Sequence, residues 1–158
     1  CDCGAVQRRD NHRMEEGCRL TFWLFKSEPD TWSWDDQVAK GAVGEEWHGV
    51  RNYQARNNMR TMRVGDRGFF YHSNVGKEIV GVVEVCRESQ PDSTTDDPRW
   101  DCVCIRAVVG LQKPVTLETC KVQPGLEQMV LINNSRLSVQ PVSAEEWRII
   151  CGLGGVAS

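Results

Sequence analysis

Two runs of alternating residues constrain the fold of this chain most. IVGVVEVCR (79–87) and RWDCVCIRAVV (99–109) both switch sides residue by residue, which is the period of a β-strand. Between them lies a polar loop, QPDSTTDDP (90–98). TFWLFKS (21–27) is short, aromatic and stopped by Glu28-Pro29-Asp30, as a buried strand would be. RGFFYHS follows the turn at Gly65-Asp66 and reads as another strand. MVLI (129–132) and RLSVQPV (136–142) read as short strands or extended pieces.

Helices are fewer and shorter. Ser33, with Asp36 three positions on, caps a short helix that Gly41 stops. The spacing predicts a helix over 52–63, because Ala55, Met59 and Met62 make one apolar stripe. PVTLETC is helical or a turn, and Ser143 with Glu146 forms a capping box that opens SAEEWRIIC. The tally is five or six strands with three short helices, without βαβ alternation or repeats. That pattern predicts a mixed α/β (α+β) domain, a compact barrel rather than a doubly wound sheet.

The length of 158 residues suits one domain, placed at 21–158. Residues 1–20 are polar and charged, and are expected to form a flexible N-terminal extension. The eight cysteines include no C-x-x-C pair and follow no secretory signal, so they predict no disulfide framework. Cys86, Cys102, Cys104, Cys120 and Cys151 are expected as structural thiols in an intracellular protein, nuclear or cytoplasmic and not secreted. No apolar run approaches the ~18 residues of a membrane span.

Familiar catalytic motifs are missing. There is no glycine-rich phosphate loop, no zinc-binding histidine pattern and no G-x-S-x-G elbow. Neither a metal, a cofactor nor a catalytic constellation is therefore expected. What stands out instead is Trp47 to Gly65, which holds no Asp or Glu although the chain carries net charge −3. Arg56, Arg60 and Arg63 repeat the 4 and 3 spacing of the apolar stripe, giving a basic stripe beside it. A local patch of this kind, in an acidic chain, points to an anionic partner such as nucleic acid.

The blocks WLFKSEPDTWSWDD (23–36), WHGVRNYQARNNMR (47–60), VGDRGFFYHSN (64–74), IVGVVEV (79–85) and RLSVQPVSAEEW (136–147) together resemble the EVE domain family. The resemblance runs in order over about residues 21–152. It implies a PUA-like fold, a small distorted β-barrel of about five to six strands with short peripheral helices. It further implies a non-enzymatic module that reads a modified base, a modified cytosine in DNA or a modified base in RNA. Carried onto this chain, the base pocket would be lined by Lys26, Ser27, Trp47, Gly49, Val50, Arg51, Asn52, Asn57, Tyr71, His72 and Ser73. Phosphates would meet Arg56, Arg60, Arg63 and Arg136.

Plainer roles compete for the same residues. Trp23, Trp32 and Trp34 suit the core, and Trp47 suits core and pocket alike. Arg51 and Arg136 could brace the barrel, Asn52 and Asn57 could cap a helix, and His72 could be a hydrogen-bonded barrel residue. One departure from the family is the short segment between Pro91-Asp92 and Arg99-Trp100, where the family carries a longer loop. Its acids, 92–97, are expected in solvent. Two rival functions remain: a nucleic-acid hydrolase using Glu28 or His72 as acid or base, and a small-molecule or protein-interaction module on the same barrel.

Overall fold

A computed structural model describes residues 21–134 and 136–157. The expectation of a flexible extension over 1–20 falls outside the described residues. Six strands form one mixed sheet: β1 (Phe22–Ser27), β2 (Glu45–Glu46), β3 (Arg67–His72), β4 (Glu78–Pro91), β5 (Asp101–Thr116) and β6 (Val139–Val142). Their order is β2-β5-β4-β3-β1-β6. β1 and β3 run parallel, with Phe22 opposite Arg67 and Ser27 opposite His72. Every other pair is antiparallel. The sheet does not close, so the barrel expected from the sequence is an open, strongly irregular one. Register shifts between β4 and β5 at four places bend these long strands, as bulges do.

Alternation along the strands divides the interior into two cores. Trp23 and Phe25 of β1 face one side with Phe70, Val83, Val85, Val103 and Ile105. Leu24 faces the other with Phe69, Tyr71, Ile79 and Val82. Helix α2 (Tyr53–Thr61) covers the first core through Ala55 and Met59, joined by Met62 just beyond its end. Helix α5 (Ala144–Gly154) covers the second, and its Trp147 stacks on Phe22 and Phe69 at 4.4 and 4.1 Å. Since both faces of β1 are covered, its near-continuous apolar run is what a central strand needs.

Three local expectations need correction. α2 ends at Thr61, not 63: Met62 is already extended, and the Arg63 N–H is taken by the Asp66 carboxylate at 3.0 Å. Arg63 therefore leaves the helical face of Arg56 and Arg60. MVLI is not a strand but forms most of a short helix, α4 (Val130–Asn133), preceded by α3 (Leu117–Val122). A four-residue apolar run cannot be told from a buried helical turn by periodicity alone. PVT belongs to the end of β5, and only LETCKV is helical.

Both capping boxes form as read. Ser33 caps α1 (Trp34–Ala39) and Ser143 caps α5, each with a carboxylate at N3 reaching back. α1 is drawn against the sheet by Trp34, whose ring lies on Gly81. A Cβ at Gly81 would sit 2.3 Å from that ring, so the contact requires glycine. The five described cysteines are free thiols; Cys102, Cys120 and Cys151 are buried, while Cys86 and Cys104 are half-buried.

Candidate functional site

The end of β1, the turn after it and the segment from β2 to Val50 enclose a cavity of about 490 Å³. That volume lies in the range of small-ligand pockets. Five sequence-predicted residues line it: Lys26, Ser27, Trp47, Gly49 and Val50. Glu28, Thr31, Trp32, Glu45, Glu46, His48 and Ser138 complete the lining, and the sequence reading of the pocket does not include them.

Its aromatic walls are fixed from behind. Trp47 is buried and meets Phe25 and Phe70 edge-on, at 5.4 and 5.8 Å between ring centroids. It serves core and cavity at once. Trp32 is half-buried, and its indole N–H donates to Gln37 Oε1 at 3.0 Å. Gln37 is fully buried, and its amide donates to the Ile105 carbonyl at 3.0 Å. The Ser27 hydroxyl donates to the Trp32 carbonyl. Thus β5, through one glutamine of α1, sets the plane of a cavity wall.

The polar wall is acidic. Glu45 meets Lys40 at 3.2 Å and lies 3.9 Å from the His48 ring nitrogen. Glu46 pairs with Arg87 at 3.4 Å and accepts from the Ser93 hydroxyl at 2.6 Å. These carboxylates already hold partners, yet each keeps acceptor capacity toward the cavity, since a carboxylate offers about four lone-pair sites. Lys26 lies 5.9 Å from the Tyr71 ring centroid, and burial lowers its ammonium below the usual lysine range. Among the described residues, no group of three or more His, Cys, Asp or Glu could hold a metal ion.

Gly49 turns the chain with φ at 82°, and Asp92 holds that turn. The Asp92 carboxylate accepts from Gly49 N–H at 2.8 Å, Arg51 Nη1 at 3.1 Å, Thr94 N–H at 2.7 Å and the Thr94 hydroxyl at 2.5 Å. Burial alone would push this carboxyl up; the bonds from Thr94, Gly49 and Arg51 outweigh it and hold it well below the usual carboxylate range. The sequence reading puts the acids of 92–97 in solvent, and for Asp92 this is overturned: its side chain is wholly buried. The short loop is a clamp on the cavity wall.

The remaining predicted pocket residues do not line this cavity. Arg51 braces Asp92 and Val50, Asn52 caps α2 by accepting from Ala55 N–H at 2.9 Å, and Asn57 accepts from Arg56. Tyr71 packs in the second core, where burial and then Cys120 push its hydroxyl up to about 12. His72 Nε2 accepts from Trp34 N–H at 3.1 Å, and Ser73 N–H donates to the Ser27 carbonyl at 2.8 Å.

The arginines divide. Arg60 is tied to Asp101 at 2.5 Å. Arg56 has no acidic partner among the described residues; it donates to Asn57 and to the Arg99 carbonyl, and lies 4.9 Å from the Tyr53 ring centroid. Arg63 and Arg136 are exposed, and their side chains have no partner among the described residues. Arg99, which the sequence reading did not single out, pairs with Asp97 and donates to the Tyr53 hydroxyl at 3.2 Å.

The family model described as EVE domain matches residues 21–153. The chain belongs to the EVE domain family. Thymocyte nuclear protein 1 of mouse is 35% identical to this EVE domain over an alignment of 164 positions that covers 84% of this chain and 73% of the relative. Protein Atu2648 from Agrobacterium tumefaciens is 58% identical with a TM-score of 0.87, covering 88% of this chain and 96% of that one. Human THYN1, solved in complex with DNA containing 5-methylcytosine, is 32% identical with a TM-score of 0.80, covering 87% and 99%. The YTH domain of Zygosaccharomyces rouxii MRB1 shares the fold at a TM-score of 0.51 over 89% of this chain, and at 18% identity the likeness concerns the fold alone. No helix of the described residues in this EVE domain is long and apolar enough to cross a membrane.

Proposed function

We propose that this EVE domain binds nucleic acid and reads a modified base, a modified cytosine in DNA or a modified base in RNA, in the cavity between Trp32 and Trp47. The observation that carries the reading is a cavity roomy enough for a nucleobase, with two fixed indole walls beside an acidic edge, next to a segment rich in arginine. A relative of the same fold, human THYN1, has been solved with 5-methylcytosine DNA, which supports it.

The chemistry is complementary. Taking a base out of its stack costs a few kcal/mol, and stacking on an aromatic ring returns ~1–3 kcal/mol. Glu45 and Glu46 are acceptors, the side-chain type that pairs with an exocyclic amino group such as that of cytosine. They also oppose entry of phosphate, so the backbone must stay outside, toward Arg56 and Arg63. Trp47 and Val50, both in the cavity lining, give an added methyl group an apolar place. Free thiols at the five described cysteines suit an intracellular setting, nuclear or cytoplasmic.

The test is titration with single- and double-stranded oligonucleotides, with and without 5-methylcytosine, at two salt concentrations. Tighter binding of a modified strand, weakened by Trp47→Ala, is expected. Equal affinity for modified and unmodified strands of both kinds sinks the base-reading claim. The carboxylates on the cavity wall keep a hydrolase in view; release of a base or a cleaved strand in the same titration would favour it over binding alone.

A further inference from the structure

Beside the cavity lies a second feature that the base pocket does not use. Tyr53 opens α2 and stacks on Trp100 at 5.0 Å and 26° between ring planes. Guanidinium groups approach both rings: Arg51 and Arg99 lie 5.5 and 5.9 Å from the Trp100 centroid, and Arg56 lies 4.9 Å from that of Tyr53. Trp100 is buried beneath, whereas Tyr53 is 51% exposed.

Hydrogen bonds hold this stack in place. Arg99 Nη1 donates to the Tyr53 hydroxyl, and Arg56 Nη1 donates to the Arg99 carbonyl at 3.0 Å. Asp97 faces Arg99, and Asp92 faces Arg51, so those two charges are partly offset. Arg56 faces no acid among the described residues. The stack adjoins the cavity wall through Arg51, which follows the cavity-lining Val50 and lies over Trp100.

A half-exposed aromatic ring, a cation without an acidic partner among the described residues and a place next to the cavity wall suit one occupant. We propose that Tyr53 and Arg56 form a second nucleotide subsite, on which the base flanking the pocketed one stacks in single-stranded form while Arg56 meets the phosphate between them. The proposal rests on the nucleic-acid reading above, but not on which modification the cavity prefers. Base stacking on aromatic rings tolerates any sequence, and arginine adds a cation–π contribution. The subsite supplies affinity and the cavity supplies choice. The short 92–100 loop acquires a purpose here, since it delivers both Trp100 and Arg99 to the stack.

The experiment compares wild type, Tyr53→Ala, Tyr53→Phe and Arg56→Gln by fluorescence anisotropy. The probes are a single-stranded thymidine 12-mer with one central cytosine and the same strand with that cytosine replaced by 5-methylcytosine. Tyr53→Ala is expected to weaken both strands by about tenfold, Tyr53→Phe to stay within about twofold, and Arg56→Gln to weaken both and flatten the salt dependence. The ratio between the two strands should stay as in wild type. Thermal unfolding checks that each variant folds; should Tyr53→Ala not fold, Arg56→Gln carries the test. Unchanged affinity in folded Tyr53→Ala or Arg56→Gln overturns the subsite. Equal affinity of wild type for the two strands, with Tyr53→Ala still weaker, overturns the reading of 5-methylcytosine and leaves the subsite standing. Failure of wild type to bind either strand overturns both.

Discussion

Asp92 shows how one side chain can govern a wall of the cavity. Its carboxylate collects four hydrogen bonds, two from the loop and two from the Gly49–Arg51 turn. Asp92→Ala should cost about 2–3 kcal/mol in urea unfolding, the scale of losing charge-assisted bonds at a buried site. A loss under about 0.5 kcal/mol would show that the clamp contributes nothing to stability. Because the folded carboxyl lies below its usual value, its contribution is present above about pH 4 and is lost as pH falls further. His72 works in the same sense near neutrality. Burial lowers its pKa, with Glu78 and Asp35 pulling the other way, and its Nε2 must stay unprotonated to accept from Trp34. Its stabilising effect is complete above its ordinary value of about 6.5 and is lost as pH drops through the lower folded value. The melting temperature should therefore fall from pH 7.5 to 5.5, and His72→Gln should flatten that fall. Residue roles of this kind were only partly legible. Trp47, Ser27 and Gly49 were found through their blocks. Asp92 was not, because an acid in a Ser-Thr-Asp loop looks the same in sequence whether it faces water or a glycine N–H.

At the scale of elements, α1 and α2 divide the work. α1 fixes the Trp32 wall through Gln37, so Gln37→Leu should weaken modified-strand binding several-fold while the salt dependence stays unchanged. A parallel loss of salt dependence would mean the helix had shifted as a body. α2 carries the arginines, and its Asn52 cap satisfies Ala55 N–H. Asn52→Ala should cost about 1 kcal/mol in unfolding free energy and little in base preference. Both helices, with the apolar face of α2 and the two capping boxes, were legible because caps and 3.6-residue spacing are local signals. The end of α2 and the nature of MVLI were not. The first turns on a local bond that residue type alone does not announce, from Arg63 N–H to Asp66 three positions on, and the second on a tertiary partner, the second core.

For the whole molecule, net charge −3 is compatible with an anionic partner only if few cations do the work. Arg60 is neutralised by Asp101, while Arg56, Arg63 and Arg136 have no acid beside them among the described residues. Three phosphate contacts on a single strand predict a slope of log K against log salt of about −2. Arg56→Ala should reduce that slope by about 0.7, and Arg60→Ala should leave it nearly unchanged. A wild-type slope steeper than about −5 would mean that a larger surface binds.

The central strand has a further consequence, for the way this domain comes together. β1 is hydrogen-bonded on one side to β3 and on the other to β6, so Phe22 meets both Arg67 and Val142. Neither neighbour is close in the chain, and no tight turn links either pair. The strands β3, β4 and β5 pair with neighbours in the chain, but β1 can be zipped in only after long loops have closed, which slows folding relative to domains built from local contacts. While that closure is awaited, the sticky edge of FWLF is left without its partners. A ribosome-bound or truncated chain lacking Val139–Val142 would carry that edge bare, a ready seed for misassociation.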